Sequence, residues 1–171
     1  MRLFIAIGLD ESIKDALTGI QSSLRSARVG GNYTKIENLH LTLAFIGEYG
    51  DPDRVLDVMR TVPFEPIPIQ LEGFGSFGDL YWCGLARKDE LTAYVKRLRR
   101  ALAEAGIPFD RKRFSPHITL LRRATFDCLP GVIVPEASMT AEKVSLMRSE
   151  RGKNGMIYTE LGTVFQSPCK H

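Results

Sequence analysis

The sequence predicts an α+β fold in which helices flank mostly antiparallel sheets. Three observations support this class. The predicted elements follow the order strand, helix, strand, helix, strand, strand, helix, strand, strand, strand. The later strands come in pairs joined by short turns, as antiparallel neighbours do. A helix and a loop followed by His-aliphatic-Thr-Leu also occur twice, which indicates two similar lobes.

The first half of the chain alternates between strands and helices. Residues 2–8 form an apolar run typical of a buried strand. Asp10 is a suitable N-cap for a helix whose apolar positions recur at helical spacing up to Gly30. Residues 39–46 have the pattern of a strand, and Asp51-Pro52 begins a second helix.

The second half is richer in strands. Apolar residues alternate over 67–71, and a turn at 74–79 leads into a strand at 80–85. Residues 88–105 form an amphipathic helix. A strand at 117–121 precedes a loop with two prolines, Pro130 and Pro135. Two extended segments near 139–149 and 156–165 are joined by a hairpin signal, Asn154-Gly155.

The composition is that of an ordinary globular protein, with 171 residues, 44% hydrophobic and 25% charged. We expect one domain, residues 1–171. The net charge of +3 mildly favours an anionic partner. Three cysteines without CxxC spacing (Cys83, Cys128 and Cys169) favour a reducing compartment. No signal peptide or apolar membrane span is recognisable. We therefore expect a cytoplasmic monomer that does not contact membranes.

Two matching tetrapeptides carry the strongest functional signal: residues 40–43 (His-Leu-Thr-Leu) and 117–120 (His-Ile-Thr-Leu). Side chains of a strand alternate between its two faces. In each motif the imidazole and the hydroxyl therefore share one face, and the aliphatic side chains can anchor the other in a core. One such motif alone would suggest a strand with a locally hydrogen-bonded histidine. The matching pair indicates a shared site.

Two histidines and two threonines suit the hydrolysis of a phosphodiester. One imidazole can take a proton from the attacking water while the other protonates the leaving oxygen. The hydroxyls of Thr42 and Thr119 can donate hydrogen bonds to the non-bridging oxygens. Zinc binding is the alternative use of paired histidines, but the sequence has neither H-E-x-x-H nor a Cys/His knuckle. We therefore predict no metal and no cofactor.

Three segments carry a family resemblance: residues 2–6 (RLFIA), 37–47 (ENLHLTLAFIG) and 113–122 (RFSPHITLLR). With these, the chain resembles the 2H phosphoesterases, and among them the bacterial RNA 2′,3′-cyclic phosphodiesterases, also called 2′-5′ RNA ligases. The resemblance runs nearly from end to end. It implies two pseudo-symmetric lobes of antiparallel sheet, with the two motif strands facing each other across a central cleft.

The resemblance also implies a reaction and roles. A terminal 2′,3′-cyclic phosphate of RNA would be opened to a 2′-phosphate without a metal. His40 would be the proton donor to the departing 3′ oxygen, and His117 would accept the proton of the water. Thr42, Thr119 and Arg122 would hold the phosphate.

The remaining site candidates are weaker. Arg122 lies five residues after His117, so in a regular strand it would point to the opposite face. It reaches the phosphate only if the chain bends after Leu121. The weaker candidates for substrate contact are Arg113, Phe45, Phe114, Trp82 and Tyr81, and core packing is favoured for Phe45.

Two other functions stay open from the sequence. The substrate could be a small cyclic nucleotide or an ADP-ribose cyclic phosphate rather than RNA. The chain could also be an RNA-binding module without turnover, although both histidines and both threonines are present. The terminal His171 has no partner motif, and we expect it to belong to a disordered tail.

Overall fold

The computed structural model describes residues 1–125 and 131–166. The strands are β1 (Arg2–Gly8), β2 (Asn32–Tyr33), β3 (His40–Glu48), β4 (Ile67–Phe77), β5 (Leu80–Ala86), β6 (Ile118–Arg122), β7 (Ser138–Ala141), β8 (Lys143–Gly152) and β9 (Gly155–Phe165). The helices are α1 (Glu11–Ser26), α2 (Pro52–Thr61) and α3 (Asp89–Glu104), and a short 3₁₀ helix covers Ile36–Asn38. The predicted α+β class is confirmed.

The strands form two antiparallel sheets. The first has the order β3-β1-β8-β9, and the second has the order β2-β6-β5-β4-β7. All pairings are antiparallel. Each sheet takes strands from both halves of the sequence, so the two lobes do not correspond to two successive halves of the chain. The motif strands β3 and β6 belong to different sheets and contact each other.

The helices cover the outer faces of the sheets and begin at the predicted caps. The Asp10 carboxylate accepts a hydrogen bond from the Ile13 amide at 2.9 Å, and Asp51 accepts one from the Arg54 amide. Helix α1 packs on β6 and β7, α2 on β8 and β9, and α3 on β3 and β4. Because α3 contacts a strand of each sheet, it helps fix their relative position.

Three details of the strand prediction were wrong. The short strand β2 was not predicted. The extended segment expected at 139–149 is divided at Glu142, so that β7 pairs with β4 in the second sheet and β8 pairs with β1 in the first. Strand β6 begins at Ile118, one position after its histidine. Continuous extended sequence carries no sign of a change of sheet, because that change depends on which partner strand is adjacent.

Several predictions fall on residues outside the described ranges, namely Cys128, Pro130, Cys169 and the His171 tail. Cys83 is a free, buried thiol. Burial raises its pKa to about 12. In the described part of the chain, no helix combines the length and apolar character needed to span a bilayer.

Candidate active site

Both motifs open into a single cleft of about 910 Å³, which is lined by His40, Thr42, His117 and Thr119. The aliphatic residues between them are buried, with Leu41 and Ile118 both at 0% exposure. The alternation of the two strands thus separates a polar face toward the cleft from an apolar face toward the core.

The two imidazoles are oriented in the same way. Nδ1 of His40 lies 2.6 Å from the carbonyl oxygen of Asn38, and Nδ1 of His117 lies 2.7 Å from that of Ser115. A carbonyl oxygen can only accept, so Nδ1 carries the hydrogen in both rings. When either imidazole is neutral, its Nε2 is therefore the basic nitrogen. Nε2 of His40 lies 2.7 Å from the hydroxyl of Thr42.

A β-bulge follows each motif at the same position, three residues after the histidine. Leu43 is the extra residue in β3 opposite β1, and Leu120 is the extra residue in β6 opposite β5. A bulge of one residue reverses the alternation beyond it. The fifth residue after each histidine, Phe45 and Arg122, is consequently returned to the face of the cleft.

The bulge at Leu120 explains why Arg122 faces the cleft. A regular strand would point Arg122 away from the face that carries His117 and Thr119, and this bulge provides the bend that turns Arg122 back to that face. Leu120 and Leu121 are both buried at 0% exposure, while Arg122 is exposed and lines the cleft.

The interpretation of Phe45 as a core residue was wrong. Its side chain is 49% exposed and lines the cleft. The bulge at Leu43 is the physical reason, because it places two consecutive residues, Leu43 and Ala44, on the core side. Phe45 and Arg122 occupy corresponding positions in the two lobes.

The carbonyl of each bulge residue is bound by a side chain from a helix. Arg99 of α3 donates to the carbonyl of Leu43 at 3.2 Å and, through its other terminal nitrogen, to that of Lys112 at 2.7 Å. Gln21 of α1, which is 2% exposed, donates to the carbonyl of Leu120 at 3.0 Å. The carbonyl of Leu120 also accepts a hydrogen bond from the Thr34 amide at 3.0 Å, so Gln21 is a second donor to it.

Replacing Arg99 with Met should lower the free energy of unfolding by about 1–3 kcal/mol, because the carbonyl of Leu43 would lose its partner in a partly buried setting. Urea unfolding followed by circular dichroism measures this change. Lys96→Met on the same helix is the control, since Lys96 is exposed and should change stability by less than about 0.5 kcal/mol. Equal effects of the two substitutions would contradict a supporting role for Arg99.

The electrostatic setting of His40 disfavours its charged form. Burial lowers its pKa, the hydrogen bond to the Asn38 carbonyl raises it, and the positive charges of Arg122 and His117 lower it further, with a net decrease from the ordinary value. Arg122, His117 and His40 all line the same cleft.

Aromatic side chains hold both imidazoles, and these contacts were not predicted. The His40 ring forms a three-ring cluster with Phe4 and Tyr158, at centroid distances of 5.0 and 5.2 Å, and these two rings are 5.1 Å from each other. The His117 ring contacts Phe77 edge-on at 5.1 Å. Only Phe4 had a sequence signal, through its position in the segment 2–6. Tyr158 and Phe77 reach the motifs from strands that are distant in sequence.

None of the other weak candidates lines the cleft, although Trp82 is paired with Thr119 between β5 and β6. Arg113 is exposed and does not line the cleft. Phe114 packs against the core, with its centroid 5.6 Å from the Arg99 guanidinium. The Trp82 ring covers Gly75 and Gly84 and contacts Phe77 at 5.3 Å. Tyr81 is buried at 2% exposure.

A metal site was also sought among the described residues. Within 1–125 and 131–166, no group of three or more His, Cys, Asp or Glu side chains is arranged to hold a metal ion. Besides the two imidazoles and the two threonine hydroxyls, the lining of the cleft includes the guanidinium groups of Arg2, Arg122, Arg148 and Arg151.

Known proteins with similar sequences and structures share this arrangement of sheets. The profile of the 2′-5′ RNA ligase superfamily matches residues 9–153. An RNA 2′,3′-cyclic phosphodiesterase of Methanothermobacter thermautotrophicus is 31% identical over 94% of this chain and 96% of its own. A Thermus thermophilus crystal structure superposes with a TM-score of 0.84 at 29% identity, covering 96% and 97% of the two chains. The crystal structure of E. coli LigT in complex with phosphate superposes with a TM-score of 0.79 at 25% identity, covering 98% of both chains.

Proposed function

Because this chain belongs to the 2′-5′ RNA ligase superfamily, we propose that it is an RNA 2′,3′-cyclic phosphodiesterase, a hydrolase that opens the terminal cyclic phosphate of RNA to a 2′-phosphate. One observation carries the proposal: two imidazoles with the same Nδ1 anchoring direct their Nε2 atoms to one cleft. Relatives of this chain are RNA 2′,3′-cyclic phosphodiesterases, which supports the choice of RNA ends as substrate.

The proposed reaction uses the two histidines in opposite protonation states. Neutral His117 takes a proton from water through Nε2, and the water oxygen forms a bond to phosphorus. The bond between phosphorus and the 3′ oxygen breaks, and protonated His40 gives its Nε2 proton to that oxygen. One proton is thus accepted and one donated in each turnover.

The hydroxyls and the guanidinium stabilise the charge on phosphorus-bound oxygens in this proposal. Thr42 and Thr119 flank the histidines in the cleft and can donate hydrogen bonds to the non-bridging oxygens. Arg122 adds a fixed positive charge. The exposed ring of Phe45 is suited to stack on the terminal base.

We propose one domain acting as a cytoplasmic monomer, without a metal or a cofactor, so that EDTA leaves the rate unchanged. Replacement of water by the 5′-hydroxyl of a second RNA would form a 2′-5′ linkage at the same phosphate. Such ligation needs no additional catalytic group.

Product analysis tests the proposed function. The protein is incubated with an RNA oligonucleotide ending in a 2′,3′-cyclic phosphate, and the products are examined by phosphorus NMR. We expect a 2′-phosphomonoester. A 3′-phosphate would mean that the other ester bond breaks, and an unchanged substrate that nevertheless binds would favour a binding module. Faster turnover of ADP-ribose cyclic phosphate than of RNA would favour the small-molecule alternative.

A further inference from the structure

A second cavity of about 790 Å³ adjoins the cleft that contains the histidines. The two share Asn38, Arg122, Arg151 and Tyr158 as lining residues, so they are continuous at that end. The second cavity extends from the shared residues toward β2 and the turn between β8 and β9. No part of the proposed hydrolysis requires it.

The charged side chains that line the second cavity are all positive. Its described lining includes Lys35, Arg122, Arg123 and Arg151, and it includes no Asp or Glu. No ion pair to a carboxylate joins any of these four cations within 1–125 and 131–166. Unpaired cations that surround a recess attract an anion more strongly than isolated surface cations do.

The other end of the cleft has a different balance of charge. Glu48, Asp110 and Glu150 line it. The amino terminus there is paired with Glu48 at 2.7 Å, and Arg148 is paired with Glu150 at 2.9 Å. Arg2 also lines this part of the cleft, so its positive and negative charges balance, and a polyanion is attracted more strongly toward the second cavity.

Direct contacts fix the walls of this cavity. Asn38 donates to the carbonyl of Met156 at 2.9 Å, and Lys35 donates to that of Asn154. Lys35 keeps two of its three ammonium hydrogens for a ligand. A Cβ at Gly31 would lie 2.8 Å from the carbonyl oxygens of Arg122 and Arg123, so only glycine allows β2 to approach that closely. The cations are thus held on anchored segments, which reduces the cost of ordering them around a ligand.

We propose that the second cavity binds the next phosphodiester of the substrate strand, on the 5′ side of the cyclic nucleotide. This inference rests on the proposed function. The next phosphate is joined to the reacting nucleotide through its 5′ oxygen, so it has to occupy a recess next to the catalytic cleft. Arg122 lies where the two cavities meet, between the reacting phosphate and its neighbour. An oligonucleotide end is then a better substrate than a 2′,3′-cyclic mononucleotide.

The test compares three substrates: a 2′,3′-cyclic mononucleotide, the same nucleotide with a 5′-phosphate, and a dinucleotide with a cyclic end. Arg123→Asn is the main variant, because Arg123 lines only the second cavity and has φ of +54°, which asparagine tolerates. Arg87→Asn is the matched control. Arg87 has φ of +51°, is exposed and lines neither cavity.

The wild-type protein should prefer the dinucleotide over the mononucleotide in kcat/KM. Arg123→Asn should lower kcat/KM for the dinucleotide by about tenfold and reduce its salt dependence by about one charge, while leaving the mononucleotide unchanged. Lys35→Gln, at the other cation that lines only the second cavity, should show the same selective loss. Arg87→Asn should behave as the wild type for all three substrates.

Three outcomes would overturn the inference. Equal kcat/KM of the wild type for mononucleotide and dinucleotide would show that the next phosphate is not bound. An equal decrease of kcat/KM for mononucleotide and dinucleotide in Arg123→Asn would place Arg123 in the catalytic cleft. The 5′-phosphorylated mononucleotide could instead have a higher kcat/KM than the plain mononucleotide while the dinucleotide does not. That result would assign the cavity to a terminal phosphate rather than to a phosphodiester of a strand.

A failure of the proposed function would look different, because no cyclic-ended substrate would then be turned over. In that case fluorescence anisotropy with a labelled dinucleotide ending in a 2′-phosphate tests the cavity directly. Weaker binding to Arg123→Asn than to Arg87→Asn supports the cavity as a phosphodiester site, and equal binding rejects it.

Discussion

Replacement of His40 or His117 by Asn should each lower kcat/KM for a cyclic-ended RNA by about 10²–10⁴-fold, because each removes one of the two proton transfers. The asparagine amide can retain the hydrogen bond to the carbonyl that anchors Nδ1. The melting temperature should therefore change little. The double variant should fall only slightly below the single ones, since the histidines act in the same step.

The pH–rate profile reports on both histidines. His117 must be neutral and His40 must be protonated, so the rate should fall at low pH and at high pH. The pKa of His40 is lowered in the free protein by burial and by its positive neighbours. A bound anionic phosphate opposes that decrease. The falling limb should consequently lie at higher pH in kcat than in kcat/KM.

The pH dependence of the residual activity of each single variant tests which histidine is the proton donor and which is the acceptor. His40→Asn should lose the falling limb, and His117→Asn should lose the rising limb. The opposite pattern would exchange the roles of proton donor and proton acceptor. Full activity in either variant would contradict the proposed mechanism altogether.

Replacing Arg122 with Met should lower kcat/KM for a 2′,3′-cyclic mononucleotide by about 10²–10³-fold, because the positive charge facing the reacting phosphate is lost. The same change should raise the pKa of His40 in the free protein, since the Arg122 charge is one of the causes that lower it. The rate and the His40 titration, followed by proton NMR, measure the two effects separately.

Arg123→Asn serves as the neighbouring control, because it removes a charge from the adjacent position without removing a group that lines the catalytic cleft. It should leave mononucleotide turnover unchanged. If Arg122→Met shifts the His40 titration but keeps the rate, Arg122 is only an electrostatic neighbour of His40. If neither changes, Arg122 has no part in the site.

Much of the local structure followed from the sequence alone. The N-caps at Asp10 and Asp51 and the apolar stripe of the third helix lie where the periodicity predicted them. The pairing of each histidine with the threonine two positions later also needed only the alternation of a strand. These features depend on residues close together in the chain, so a sequence pattern is sufficient to predict them.

The tertiary structure decided what lies beyond the bulges. Leu43 and Leu120 are extra residues only relative to β1 and β5, and no local pattern marks them. Their effect is to turn Phe45 and Arg122 toward the cleft, against the alternation that the sequence predicts. Register is a relation between two strands, and it is set when the partner strand and the helix side chains that bind the bulge carbonyls are in place.

The sequence alone determined the two motifs. That both motifs line one cleft depends on how the two sheets pack together. The chain passes between the two sheets, so that β3 and β6 become neighbours. The unpaired cations of three separate segments then line one recess. Sequence alone thus identified the two histidines and two threonines that line the cleft. Their common orientation and the charged path beside them arise from long-range packing, which residue spacing does not encode.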